Sequence, residues 1–163
     1  MDSSVTIVAQ RRAESSAQRR MCTTFAMAYC GSMAALHNIQ LKVDTERWAN
    51  QATIIATCDV EFTDFEVNAM KLLALRYAVG CQVLNRDLQY EDPVIRFDDQ
   101  QLPSATAATP TEHVVFRSVN AMSDLHEHLF TRDELVAEFT LTNMETREND
   151  VRRSNLVAVD LVP

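Results

Sequence analysis

The chain has 163 residues, 47% of them hydrophobic, and carries a formal net charge of −8 at pH 7. This length is enough for one domain with a sizeable hydrophobic core. Only two glycines are present, which excludes the glycine-rich loops that cradle phosphates in P-loop and dinucleotide-binding proteins. The acidic balance also argues against general binding to nucleic acid or to anionic membranes.

The four cysteines are widely spaced and show no CxxC or Cys/His ligand pattern. We therefore predict buried, reduced thiols and no metal site. The short apolar stretch at residues 5–9 precedes the arginines instead of following them, so no signal peptide is predicted. Charged residues interrupt the longest apolar segment, and no transmembrane span is predicted. We expect a cytoplasmic protein, or one within a particle that assembles inside the cell.

The first predicted elements are a short strand at residues 5–9 and a helix at residues 17–37, in which apolar side chains recur at helical spacing. Asn38 is predicted to end this helix because asparagine tolerates the left-handed conformation. Alternating apolar and polar residues then predict a strand at residues 39–43.

The stretch from residue 51 to residue 85 is predicted to form the centre of the fold. Residues 51–62 alternate in polarity and predict a strand with one buried and one solvated face. Thr63 and Glu66 have the spacing of a capping box, which predicts the start of a helix. Residues 67–84 are apolar on nearly every side, and we interpret them as a buried helix.

Downstream of this centre, the sequence predicts further strands and one short helix. A polar, low-complexity segment at residues 98–112 is predicted to form a loop or arm. Residues 131–143 are ambiguous between strand and helix, and their alternation favours a strand that closes a hairpin with the C-terminal residues. The other predicted elements are strands at residues 94–97, 113–119 and 156–162 and a helix at residues 120–130.

The order of these elements predicts an α+β fold in a single domain over residues 1–163. Helices alternate with pairs of strands, which favours a mixed or antiparallel sheet of about six to seven strands. Two long helices and one short helix would pack on that sheet.

Two carboxylates, Asp59 and Glu61, are predicted to point to the same polar face of the central strand. Paired carboxylates on a strand can hold a divalent metal. In an acidic protein the same spacing also arises by chance, so a solvated strand face is the alternative interpretation. No catalytic residue, metal ligand or cofactor is assigned from the sequence. The residues that could complete a carboxylate set are Asp98 with Asp99, or Glu91 with Asp92.

The N-terminal arginines form a second candidate site. Residues 1–43 hold five basic and two acidic residues, whereas the rest of the chain is strongly acidic. If this segment is helical, its two arginine pairs can form one stripe, because positions eight apart lie on nearby faces. An acidic protein surface is the favoured partner, with nucleic acid or plain solvation as alternatives. The four residues are Arg11, Arg12, Arg19 and Arg20.

The sequence contains no nucleophile motif with an associated base, so a non-enzymatic protein is favoured over an enzyme. We expect an interaction or assembly subunit, either a homo-oligomer or a component of a larger particle such as a viral or phage structural protein. The alternative is a small α+β enzyme or a ligand- or metal-binding domain that uses Asp59 and Glu61. A third alternative is a chaperone or an immunity-type inhibitor, which would need a contiguous exposed apolar patch.

Overall fold

A computed structural model describes residues 34–86, 91–104, 108–125 and 133–159. In these ranges the chain forms nine strands in two antiparallel sheets and one helix longer than a single turn. The strands are β1 (Ala35–Glu46), β2 (Gln51–Glu61), β3 (Tyr77–Arg86), β4 (Glu91–Arg96), β5 (Gln100–Leu102), β6 (Thr111–Ala121), β7 (Asp133–Asn143), β8 (Asn149–Arg153) and β9 (Val157–Val159). The helices are α1 (Asp64–Leu73) and the single turn α2 (Met122–Leu125), and a 3-10 turn spans Arg47–Ala49.

The smaller sheet has three strands in the order β1-β2-β6, and both outer strands run antiparallel to β2. Alternate residues of β2 face the interior, as the sequence predicts for a strand with one solvated face. The strand predicted at residues 39–43 lies within β1. The inward residues of β2, each 0% exposed, are Ala52, Ile54, Ala56, Cys58 and Val60.

The larger sheet has six strands in the order β4-β3-β7-β8, with β5 also paired to β3 and β9 also paired to β7. Its inner face packs against that of the smaller sheet. The rings of Phe116 and Phe139 are 6.0 Å apart, and those of Phe62 and Tyr77 are 5.2 Å apart. The described residues therefore form a sandwich of two sheets around one hydrophobic core.

Side chains bridge both lateral edges of the smaller sheet to the larger one. On the β1 edge, the Leu36 N–H donates to the Asp150 carboxylate at 3.1 Å. The Asn155 amide accepts from the Leu41 N–H at 3.0 Å and donates to the Leu41 carbonyl at 3.2 Å. On the β6 edge, the Gln100 amide donates to the Val115 carbonyl at 2.9 Å.

The predicted capping box is confirmed at the start of α1. The Thr63 hydroxyl accepts from the Glu66 N–H, and the Glu66 carboxylate accepts from the Thr63 N–H. Both bonds satisfy backbone donors that the first turn of a helix leaves open. The helix ends at Leu73 and is capped by Ala74, which adopts the left-handed conformation at φ 55°.

The single helix predicted over residues 67–84 is wrong. The helix stops at Leu73, and Tyr77–Arg86 forms β3, which lies between β4 and β7 in the larger sheet. Most of β3 is buried on both faces, so its sequence shows no alternation. A short, continuous apolar run of this kind cannot be assigned to helix or strand from periodicity alone.

The predicted α+β fold holds only in part. The strands pair antiparallel, as predicted, but the described part of the chain is mainly β and has two sheets where one was predicted. Residues 35–37, predicted to end a helix, begin β1. Asn38 does adopt the left-handed conformation, at φ 48°, but it does so inside a strand. The predicted elements at residues 5–9 and 17–33 lie outside the described residues.

The segment at residues 98–112 contains β5 and the first two residues of β6, so it is not wholly an arm. Buried Glu112 accepts a 3.0 Å hydrogen bond from the Ser104 N–H, which fixes part of the connection. The helix predicted at residues 120–130 is a single turn, α2, within its described part. The strand at residues 131–143 is confirmed as β7, and β9 closes a hairpin onto it.

None of the helices in the described ranges has the length and apolar character that a membrane crossing requires.

Candidate functional site

Asp59 lies in the middle of a polar row that crosses the solvent-facing side of the smaller sheet, called the outer face below. The register places His37 of β1 and His113 of β6 directly opposite Asp59, one on each side. His113 Nδ1 lies 2.7 Å from Asp59 Oδ1. Three adjacent strands therefore present a histidine, an aspartate and a second histidine side by side.

A β-bulge brings a fourth side chain to this row. The pairing of β1 with β2 shifts between His37 and Gln40, and Asn38 takes up the extra residue in the left-handed conformation. Its side-chain amide donates to Asp59 Oδ2 at 2.7 Å. Bulges commonly redirect side chains in this way, so an irregularity of β1 completes the surroundings of Asp59.

Glu61, the second predicted carboxylate, lies on the same face at the end of β2. Glu61 Oε2 is 3.6 Å from His37 Nε2, and the two side chains are 57% and 47% exposed. An exposed pair at this distance contributes little to stability. The predicted Asp59/Glu61 surface therefore exists, and the two carboxylates contact different histidines.

The electrostatics of the row favour an ionised aspartate. The hydrogen bond from Asn38 and the one from His113, together with the neighbouring imidazoles, lower the pKa of Asp59. An aspartate–imidazole pair can retain a proton on one ring nitrogen and exchange a proton at the other. The row has the groups for acid–base chemistry.

The carboxylates proposed to complete a metal set do not join Asp59. Glu91 is the first residue of β4, and Asp98 and Asp99 lie in the connection between β4 and β5, so all three belong to the larger sheet and not to that of Asp59. Across the described ranges, no group of three or more His, Cys, Asp or Glu side chains could hold a metal ion. The side chain of Asp92 lies outside the described structure, as do the N-terminal arginines, whose role in partner contact stays a prediction: Arg11, Arg12, Arg19 and Arg20.

Glu91 is instead part of an ion-pair network on the larger sheet. Both of its carboxylate oxygens accept from the Arg153 guanidinium, at 2.8 and 2.7 Å. Arg153 Nε also donates to Glu138 at 2.9 Å. The hydrogen bond from Arg153 is the main cause that lowers the pKa of Glu91. Glu91 therefore forms a bidentate ion pair with Arg153, which explains its presence without a metal site.

The two described cysteines confirm the prediction of buried thiols. Cys58 of β2 and Cys81 of β3 are free and buried, although Cys81 was expected in a helix. Burial raises the pKa of each thiol to about 12. A thiol of this kind is a poor nucleophile. Cys22 and Cys30 lie outside the described residues.

Sequence reasoning missed His37, Asn38 and His113 as neighbours of Asp59. The alternation of residues 113–119 does indicate that His113 faces solvent, because the next residue, Val114, lies on the buried face of the strand. His37 and Asn38 were assigned to the end of a helix. Periodicity gives the face on which a side chain lies, whereas the pairing register decides its neighbours.

Exposed apolar side chains lie on the outer face and in the β1–β2 turn. Val115 and Val119 of β6 are 45% and 54% exposed, and Trp48 in the turn is 89% exposed. Lys42 of β1 and Arg117 of β6 flank Ile55 in the middle of this face. The surface therefore combines aliphatic side chains, a basic row and the acidic residues at the end of β2.

No family model matches the chain, and no curated protein matches it. Among solved structures, the chain is similar to a Bordetella pertussis protein provisionally assigned as ApaA, with a TM-score of 0.39 and 7% sequence identity over 77% of this chain and 93% of that one. It is also similar to β-glucosidase 3B from Thermotoga neapolitana in complex with glucose, with a TM-score of 0.32 and 9% identity over 80% of this chain and 17% of that one. Likeness at this level carries no argument about fold or function.

Proposed function

We propose that this chain is a non-enzymatic interaction protein that self-associates through the outer face and the adjoining β1–β2 turn. The observation that carries the proposal is Trp48, the single tryptophan of the chain, which is 89% exposed. Tryptophan is enriched among the residues that dominate binding energy at protein interfaces, since its large ring removes much apolar surface from water.

Two valines of β6 add exposed apolar side chains to the outer face. Val115 and Val119 project from the outer face and are about half exposed. Gln51, the first residue after the turn, pairs with Ala121, so Val119 and Trp48 lie at the same end of the sheet. Apolar groups gathered on one surface favour a protein contact more strongly than the same groups scattered singly.

The charges on the outer face favour a second copy of the chain as the partner. Arg117 lies in the middle row of the face, across Ile55 from Lys42. Lys42 pairs with Asp44 at 2.6 Å, so Arg117 supplies most of the basic charge. Asp59 and Glu61 lie towards the end of β2. A twofold axis joins the same surface of both copies, so that where residue i of one copy contacts residue j of the other, residue j of the first also contacts residue i of the second. The basic row of each copy can then face the acidic end of its partner.

The test combines light scattering with tryptophan fluorescence over a concentration series. Trp48 is the only tryptophan, so a change in its emission reports directly on the proposed contact. We expect the solution mass to rise with concentration while the emission shifts to shorter wavelength, because the indole leaves water. A monomer at every concentration would overturn self-association and leave a different protein as the partner.

Two valine variants provide a matched comparison. Val119→Thr changes the proposed contact, and Val151→Thr makes the same change at a 51% exposed residue of β8, in the larger sheet. We expect Trp48→Ala to raise the dissociation constant by about thirtyfold or more, as expected for a residue that contributes about 2 kcal/mol to binding. Val119→Thr should weaken association and Val151→Thr should not. Equal effects of the two valine variants would contradict the proposal.

A second candidate function is a small-ligand site with acid–base chemistry on the polar row. The 2.7 Å contact between His113 and Asp59 favours it, because such a pair can move a proton. Replacing Asp59 and Glu61 together by alanine separates the two functions. A ligand site would lose binding or turnover entirely. A self-associating protein would still fold, though with lower stability, and would still associate through Trp48, though more weakly because the acidic end of the face is lost.

A further inference from the structure

A second surface feature lies on the larger sheet, away from the polar row. A cleft of about 240 Å³ opens where Gly80 of β3 has no side chain, and Gln82, Arg96, Asp99 and Thr140 are among its other lining residues. Glycine in the interior of a strand weakens the strand and often marks a close approach by another group. The backbone of Gly80 does not adopt a positive φ, so the glycine is not needed for a turn.

The space above Gly80 is occupied at one side by Asp99. A Cβ atom built on Gly80 would lie 2.8 Å from Asp99 Oδ1. The chain leaves the ladder between β4 and β5, at residues 97–99, although the Phe97 N–H still donates to the Cys81 carbonyl at 3.0 Å. This break carries Asp99 over the central strand and forms one wall of the cleft.

The cleft contains one cation and one anion that do not pair. Among the described residues, neither Arg96 nor Asp99 makes a hydrogen bond or an ion pair through its side chain, in contrast to Glu138, which Gln82 and Arg153 hold. Arg96 pairs with Gln82 in the ladder, and Asp99 lies over Gly80. Both side chains line the same cleft of about 240 Å³, so the two charges border one space that is large enough for a small molecule.

We propose that this cleft binds a compact zwitterion, such as a free amino acid. The Arg96 guanidinium would receive the carboxylate, for which its planar array of donors is well suited, and the Asp99 carboxylate would receive the ammonium group. The missing side chain of Gly80 lets the Asp99 carboxylate lie close to β3, in the same cleft as Arg96. This site lies on the opposite sheet from the proposed association surface, so each proposal can fail without the other.

The experiment is an amide NMR titration of the full chain with glycine, with acetate and methylammonium as probes that carry only one charge each. We expect saturable shifts at Gly80, Gln82 and Thr140 with glycine and much weaker binding of either single-charge probe. Absence of saturable shifts up to roughly 50 mM glycine, well above a millimolar dissociation constant, would overturn the proposal. Equally tight binding of acetate would also overturn it, because the site would then be a simple anion site.

Single substitutions test whether Arg96 and Asp99 bind the two charges of the zwitterion. Asp99→Asn and Arg96→Gln change exposed side chains and should each raise the dissociation constant for glycine at least tenfold. Asp98→Asn is the matched control, since Asp98 is an exposed neighbour that does not line the cleft. Gly80→Ala should abolish binding while the fold is kept, because the added methyl group meets only the free end of the Asp99 side chain. Equal effects of Asp98→Asn and Asp99→Asn would contradict the assignment.

Discussion

The Tyr77 hydroxyl donates a 2.6 Å hydrogen bond to Glu66 Oε1 inside the protein. The same oxygen accepts from the Ala34 N–H at 2.8 Å, and the other carboxylate oxygen accepts from the Thr63 N–H at 2.9 Å. Glu66 is only 3% exposed. A helix-capping residue therefore also joins α1 to the chain that enters β1 and to the first residue of β3.

Glu66→Ala should lower the free energy of unfolding by about 3 to 5 kcal/mol, because it leaves several buried donors without an acceptor. Tyr77→Phe removes a single hydroxyl and should cost about 1 to 2 kcal/mol. Urea denaturation of both variants measures these losses. If Glu66→Ala cost no more than Tyr77→Phe, the carboxylate would stabilise the fold only through the tyrosine.

Replacing Asn38 by glycine should lower the free energy of unfolding less than replacing it by alanine. Its φ of 48° is strained for alanine, by about 1 to 2 kcal/mol, and unstrained for glycine. Both variants lose the hydrogen bond to Asp59, so their difference in unfolding free energy isolates the backbone contribution. Equal stability of Asn38→Ala and Asn38→Gly would show that the bulge relaxes when the side-chain amide is removed.

Asp59 should stabilise the fold at neutral pH and lose this effect in acid. The hydrogen bonds from Asn38 and His113 lower its pKa below the ordinary value of 3.8, so folding favours the ionised form. The resulting stability is fully present well above that value and disappears as the pH falls through the lowered pKa of the folded state. Asp59→Asn should therefore have a lower free energy of unfolding than the wild type at pH 7, and the difference should shrink as the pH falls below 3.8.

Glu134→Gln is the control for this pH series. Glu134 is an exposed carboxylate of β7 that is not part of the polar row. The free energy of unfolding of Glu134→Gln should differ little from that of the wild type at neutral and at acidic pH. If the free energy of unfolding of Asp59→Asn differed from that of the wild type by the same amount at every pH, the ionised carboxylate would not be the source of the stability.

Cys58 and Cys81 should resist iodoacetamide at pH 8 while the protein is folded. Burial raises both thiol pKa values to about 12, so the reactive thiolate is scarce, and the two residues are only 0% and 5% exposed. A variant with Cys22→Ser and Cys30→Ser leaves only these two thiols to be counted by mass spectrometry. Both should be modified in denaturant and neither in native buffer. Rapid modification of either under native conditions would contradict the buried positions.

The elements that the sequence predicted correctly have local causes. The strand at residues 51–62 shows alternation because one face is solvated, and the Thr63–Glu66 capping box is visible within four residues. β3 was missed because Val79 and Val83 face the core while Ala78 and Leu84 on the other side are buried as well. Burial of both faces depends on residues far away in the chain, which local periodicity does not contain.

The candidate site was predictable only in part for the same reason. The face that carries Asp59 and Glu61 follows from the period of β2. The contacts with His37 and His113 depend on the register of three strands, and the contact with Asn38 depends on a bulge. These features are set by long-range packing, and a shift of one residue in the register would turn every side chain of a strand to the opposite face.

The edge of β1 has a consequence for the behaviour of concentrated protein. The side chain of Asn155 both accepts from the Leu41 N–H and donates to the Leu41 carbonyl, as the backbone of one residue in an adjoining antiparallel strand would do. With Asp150 bound at Leu36, a foreign strand would have to expel two side chains before it could extend the sheet. The covered edge therefore opposes fibril growth by strand addition. Molecules that meet in concentrated solution can still associate through their side chains, and that association is reversible.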